Sequence, residues 1–328
     1  MEKILFLATN GGLVVCRRYE DGWHMVERGL AGQPVTSVIA REGVILAGTR
    51  QGVYRSDDLG RSWQEASSDL TIRHVRWLAY HPDISDLEFA GTEPAGIFVS
   101  GDGARSWQSR PEVSQLRDAH GWYLPYSPEA GCVRGFAFHG SRAYAAVEVG
   151  GVLRSEDRGQ SWQLVEGSSG DPHDEGTETK GVVHPDVHSI AVHPSSQDLV
   201  CAPTGGGFYR SDDGGQSWEY LYDCYCRAVW LDPADANRMV LGPADGVDRQ
   251  GRIEATQDGG RTWSPASTGL QVPWRHHMVE RFIQIGDELL AVLSNGELLA
   301  APLEAGVLTW QPILPEIRGV AAAATMEG

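Results

Sequence analysis

The stretch Ser211-Asp212-Asp213-Gly214-Gly215-Gln216-Ser217-Trp218 decides the fold, because it is one copy of a repeat. Written Ser-x-Asp-x-Gly-x-Ser/Thr-Trp, the pattern returns at residues 56–63 and 155–162. It returns with Ala104 in place of the glycine at 100–107, and with Thr256 in place of the first serine at 256–263. Short apolar runs headed by glycine precede the copies, as in Gly207-Phe208-Tyr209-Arg210 and Gly151-Val152-Leu153-Arg154. Each copy reads as a hairpin. A strand ends, Asp and Gly close a tight turn through side-chain-to-backbone hydrogen bonds and a positive φ, and Trp opens the returning strand and packs inward.

This pattern resembles the Asp-box, or bacterial neuraminidase repeat, of sialidases, some endoglucanases, sortilin-like receptors and a photosystem assembly factor. In those families the repeat is a folding device on the face opposite the binding site, so the resemblance speaks to architecture rather than chemistry. Sialidases also carry a Phe/Tyr-Arg-Ile-Pro motif, an arginine cluster for the substrate carboxylate, a Tyr–Glu nucleophile pair and an Asp acid/base. The Phe/Tyr-Arg-Ile-Pro motif is missing from this sequence. The sialidase propeller has six blades, and the count below gives seven. The resemblance thus implies shared architecture without true sialidase activity.

The tryptophans that close the hairpins are Trp63, Trp107, Trp162, Trp218 and Trp263, and weaker copies end at Trp23 and Trp310. Their separations are 40, 44, 55, 56, 45 and 47 residues. Strand–turn–strand content at that period is the signature of a β-propeller. The expected fold is all-β: residues 1–328 form a single seven-bladed propeller of four-stranded antiparallel blades, with strands A to D running outward from the axis. The chain starts on a B strand, Ile4–Thr9, and the missing A strand is expected at residues 317–323. The C-terminal strand would then complete the N-terminal blade and close the ring.

Composition bounds the rest. Hydrophobic residues make up 41% and charged residues 22%, as in soluble globular proteins. A net charge of −17 argues against nucleic-acid or anionic-membrane partners. Residues 1–9 lack the length and flanks of a signal peptide, and no apolar run reaches spanning length, so a cytoplasmic location is expected. Five cysteines, odd in number, do not make a disulfide framework. Long connections at 108–131 and 163–187, with a long B–C turn at 245–251, fall on one face and suggest a built rim.

Aligning the A strands on their apolar positions brings out one column: Arg76, Arg134, His188, Arg227, Arg281 and Arg318, with Thr36 in the remaining blade. Guanidiniums crowded at the mouth of the channel need counter-charge. Glu148, Asp186, Glu280 and Glu316 can supply some of it. The rest is either a bound anion held by bidentate contacts, with His74 beside the arginines, or further mortar between blades. His188, Glu148 and Tyr225 are the candidate catalytic groups for moving protons on an anionic substrate, as a hydrolase or lyase. Glu148, alone among apolar residues, suits a raised pKa or an ion pair with Arg134 or Arg76. Trp122 and Tyr123 offer a platform for a ring or a staple for their loop.

His184, Asp186 and His188 alternate along an extended strand, so their side chains share one side, and His276 and His277 stand near the seventh A strand. That set suits a divalent metal such as Zn, Fe or Mn, although nothing in the sequence requires a cofactor. The expected partner is an anionic small molecule or an acidic protein segment.

Overall fold

The computed structural model describes residues 3–174, 180–303 and 306–327. They form seven sheets, each of four antiparallel strands. The inner strands are Val320–Glu327, Val35–Arg41, Val75–Tyr80, Cys132–His139, Ala191–Val192, Tyr225–Leu231 and Val279–Ile285, numbered here as blades 1 to 7. The seven-bladed propeller expected from the tryptophan spacing is therefore present. The one α-helix among the described residues, Pro111–His120, lies in the first long connection and stops at Gly121, which takes the left-handed conformation.

The Asp-box turns show why five short sequences fold alike. In the first, Ser56 Oγ accepts the Gly60 N–H at 2.8 Å and donates to Asp58 Oδ1 at 2.8 Å. Asp58 also accepts the Ser62 N–H at 2.8 Å and the Ser62 hydroxyl at 2.6 Å. Asp213 repeats the scheme with Ser217, and Asp258 with Thr262. Donation by the Ser62 and Thr262 hydroxyls, then by their backbone N–H groups, pulls the Asp58 and Asp258 carboxyls down to about 2. Ala104 adopts φ +60° where the other copies carry glycine, and its N–H still reaches Ser100 Oγ at 2.9 Å.

Hydrophobic side chains fill the space between neighbouring sheets. Leu5, Leu7 and Val14 of blade 1 pack on Leu290 and Val292 of blade 7, and Ile4 and Phe6 pack on Val38 and Ile45 of blade 2. Near the axis the blades come closer still. A Cβ on Gly91 would lie 2.7 Å from Val133, and one on Gly242 would lie 2.6 Å from Val279. These B-strand glycines admit the first valine of the next inner strand.

Ring closure follows the expected logic with a shifted register. Ile4 pairs with Met326 and Leu7 with Ala323. The closing strand is Val320–Glu327, three residues beyond the expected start. The five cysteines are free and buried. No helix among the described residues is long and apolar enough to cross a membrane.

Glu88 breaks the apolar rule. It pairs with Ser100, the first residue of an Asp-box, where other blades carry Ile45, Ala143 or Val200. It is 2% exposed and accepts the Ala104 N–H at 3.1 Å. Burial drives its carboxyl up to about 7, opposed by the Ser100 and Ala104 donors.

Two predictions follow from this architecture. Deleting residues 315–328 removes the inner strand of blade 1, so the truncated protein melts well below the full-length chain in a thermal scan. Glu88 binds a proton more tightly folded than unfolded, so its contribution to stability is complete below about pH 4.5 and is lost as pH rises through about 7. Glu88→Gln gains on wild type between those limits by on the order of 3 kcal/mol, read from denaturant midpoints at each pH.

Candidate functional site

Each inner strand carries one extra residue near its top end, on the face formed by the B–C turns and the D–A connections. Val75 pairs with Thr92 and Trp77 with Gly91, which leaves Arg76 as a bulge. The same break leaves Thr36, Arg134, Glu280 and Ala321 unpaired in blades 2, 4, 7 and 1. Blade 6 bulges at Arg227 and Ala228. In blade 5 the strand is interrupted between Val187 and Ala191, and His188 falls in the gap. A bulge re-aims a side chain, and seven at one height build the mouth of the channel.

The column read from sequence holds for Arg76, Arg134, His188 and Arg227 and fails at two places. Arg318 precedes its strand on an exposed loop, where it pairs with Glu297 at 2.8 Å. Glu280 takes the bulge in blade 7, one residue before Arg281. Arg281 enters the site by another route. It lies 4.6 Å over the Trp77 ring and donates to the carbonyls of Arg227 at 3.2 Å, Glu280 at 3.0 Å and Arg134 at 3.1 Å.

Much of the counter-charge comes from within. Arg134 binds Glu148 at 3.0 Å and lies 3.6 Å from Glu280, which also pairs with Arg227. Arg76 binds Glu93 at 2.9 Å, and His74 stands 3.8 Å from the same carboxylate. Glu93, in the B–C turn of blade 3, has no sequence signal that marks it. Glu316 is exposed and outside the site. The loop after the helix clamps two of these acids: Tyr126 donates to Glu148 at 2.7 Å and Ser127 to Glu93 at 2.8 Å.

Glu148 is not a raised-pKa acid. Burial disfavours its charge, but Arg134, His188, Tyr126 and Cys132 together hold its carboxyl well below the usual range. It is 4% exposed, and Cys132 Sγ donates to it at 3.1 Å. Asp186 is likewise held low against its burial, by His188 and His184. Burial pushes the Tyr225 phenol up to about 12, so it serves as a hydrogen-bond donor and acceptor.

His188 is fully buried. Its Nδ1 donates to the Cys226 carbonyl at 2.9 Å, because a carbonyl only accepts. Its Nε2 faces the Tyr225 hydroxyl at 3.2 Å and Asp186 Oδ2 at 3.1 Å. The Tyr225 oxygen accepts from Arg227 at 2.9 and 3.1 Å.

Other expectations resolve differently. Among the described residues, the group with ligand-type atoms all within 4.8 Å of one another is Glu148, Asp186 and His188, so Glu148 takes the place expected for His184. His184 Nδ1 instead accepts the Asp186 N–H at 3.2 Å. His276 is exposed, and His277 stacks on Trp274. Trp122 is no platform: it is 3% exposed and donates to the Gly170 carbonyl at 2.9 Å, tying the two long connections together. Tyr123 stacks on His173 across the same junction.

A cavity of ≈320 Å³ opens on the other half of the mouth. Arg76, Arg134, Arg281 and Glu280 line it, with Asn10, Thr36, Ser294 and Asn295 adding polar groups and Trp77 an aromatic face. No carboxylate of the described residues lies within ion-pair distance of Arg281. Burial, then the charge of Arg134, pulls its pKa down to about 9 against the pull of Glu280, and Arg227 and Arg76 add to the fall.

Architecture and repeat together make this chain an Asp-box-bearing β-propeller. The BNR/Asp-box repeat profile matches residues 209–220. No curated protein sequence matches the chain. Among solved structures it is similar to an ancestral GH74 enzyme, with TM-score 0.63 and 19% identity over 94% of this chain and 40% of that one. It therefore spans less than half of that enzyme. It is also similar to YCF48 bound to D1 peptide, with TM-score 0.59 and 17% identity over 90% of this chain and 86% of that one. YCF48 from Cyanidioschyzon merolae gives TM-score 0.59 and 10% identity over 90% and 95%. At these identities the likeness establishes the fold alone.

Removing one member of a buried pair leaves its partner's charge uncompensated. Glu148→Ala strands Arg134 and is expected to cost about 3–5 kcal/mol, read as a lower denaturant midpoint. Tyr126→Phe, which spares the ion pair, is expected to cost about 1 kcal/mol.

Proposed function

We propose that the top mouth binds a small carboxylate-bearing ligand in the axial cavity, with Arg281 as its principal contact and Arg76 and Arg134 beside it. The observation that carries this reading is Arg281, a partly buried cation lining the cavity without a carboxylate of its own among the described residues. A carboxylate about 4 Å away gains on the order of 4 kcal/mol at an effective dielectric of 20. The cavity volume falls within the range of small-ligand sites.

The reading favours binding over acid–base turnover. Glu148 and Asp186 are held ionised, and His188 is buried behind Tyr225 and Asp186. A hydrolase or lyase needs a proton donor facing its substrate. An acidic protein segment is a second possible source of the carboxylate, and YCF48, a neighbour in fold, has been solved with a peptide bound.

The test is a thermal-shift and calorimetric screen with acetate, succinate, citrate and an acidic peptide, at constant ionic strength with chloride as reference. Saturation at about 100 times Kd stabilises the wild type by about 2.7 kcal/mol. Asn295→Asp keeps the acceptor for the Glu297 N–H and adds a negative charge at the cavity rim, so it abolishes the effect without touching the arginines. Arg281→Gln abolishes it as well. A peptide-only response transfers the site to a protein partner, and no response from any carboxylate overturns the proposal.

A further inference from the structure

The half of the mouth opposite the cavity contains an unresolved contact. His188 Nδ1 carries the ring proton that the Cys226 carbonyl accepts. A neutral ring then leaves Nε2 as a lone pair that accepts the Tyr225 hydroxyl at 3.2 Å, yet Nε2 also lies 3.1 Å from Asp186 Oδ2. Two acceptors do not face each other at that distance unless something positive lies between them. The other Asp186 oxygen, Oδ1, is buried without a hydrogen-bond donor. Glu148 brings a carboxylate oxygen to within 4.8 Å of both groups. We propose that Glu148, Asp186 and His188 bind a divalent transition-metal ion.

The surroundings match what a metal site requires. A ligating histidine donates its other ring N–H to a fixed acceptor, which orients the ring and presents the free nitrogen. The Cys226 carbonyl does this for His188. Ligating carboxylates are themselves fixed by hydrogen bonds. Tyr126, Cys132 and Arg134 do this for Glu148. One imidazole nitrogen with two carboxylates is a hard-to-borderline donor set, suited to Mn²⁺, Fe²⁺ or Zn²⁺ rather than to Ca²⁺ or a thiophilic ion. Water would complete the coordination. Asp186, 26% exposed at its side chain, marks the way in.

The site differs from the anion cavity in residues and in test. The cavity is lined by Arg281, Arg76 and Asn295, and none of the three ligands lines it. The competing account of the His188–Asp186 contact is a second proton on the ring, which makes the pair an imidazolium–carboxylate bridge.

The experiment uses the full-length protein, free of any histidine tag, stripped with a chelator and titrated with Mn²⁺ and with Zn²⁺ by calorimetry. The expected result is one ion per chain and a higher melting temperature in its presence. Asp186→Asn, and separately His188→Gln, weaken binding by at least about 100-fold. Pulsed electron paramagnetic resonance of the Mn²⁺-loaded wild type then shows coupling to one imidazole nitrogen, a readout that stands even where a variant fails to fold. Absence of stoichiometric binding overturns the proposal and leaves the second proton as the occupant. Binding that survives both substitutions, or coupling to no nitrogen or to more than one, also overturns it, by placing the ion elsewhere. Loss of carboxylate binding in Asn295→Asp with metal binding intact separates the two sites.

Discussion

Seven strands cannot all approach one axis in regular pairing and still present long polar side chains there. The extra residue near the top of each inner strand resolves this conflict. It breaks the ladder for a single position and turns that side chain inward. Everything at the mouth depends on it. Arg76, Arg134, Arg227 and Glu280 meet because each sits on a bulge, and acids in the adjoining B–C turns come within reach because the bulge lies level with those turns. The glycines of the B strands serve the same end, since only a missing Cβ lets the next blade's valine close the ring tightly enough.

The outcome at the mouth is near-neutrality with unequal distribution. In one half, two carboxylates surround a histidine, and donors surround one of them, Glu148. In the other, three guanidiniums border open space with one carboxylate among them. A chain of net charge −17 thus keeps a locally cationic cavity. The long connections wall this mouth through few contacts: Trp122 joins them to each other, and Tyr126 and Ser127 pin one of them to the acids beneath.

The fold was legible because its determinants are local. An Asp-box needs only eight neighbouring residues, and its hydrogen bonds close within the turn. Seven tryptophans at a regular period then count the blades. The site was legible only where the inner strands follow the commonest register. A bulge belongs to a pair of strands, so it leaves no trace in one strand read alone. That is why Glu280 was passed over for Arg281 at the ring position, and why the closing strand was placed three residues early, drawing Arg318 into the column. Glu93 was invisible for a related reason: a turn acid becomes a partner only when the neighbouring inner strand aims an arginine at it. Of the two readings of Glu148, the ion pair with Arg134 holds and the raised pKa does not, because its flanking residues are apolar while its contacts in space are donors.

The closing strand has a consequence for assembly. Ile4 pairs with Met326, so the first strand of the ring waits for its last. Until then, blade 1 presents one unpaired inner edge, and the faces of Leu5 and Phe6 lack their full cover. Blades 2 to 7 are built from local hairpins and can mature in order, whereas the circle itself forms through contacts of very large sequence separation, the slowest kind to find. The chain is therefore an open arc until residues 320–327 are in place, and the cavity lined by Asn10, Gly319, Val320 and Ala321 is complete only when that arc becomes a ring.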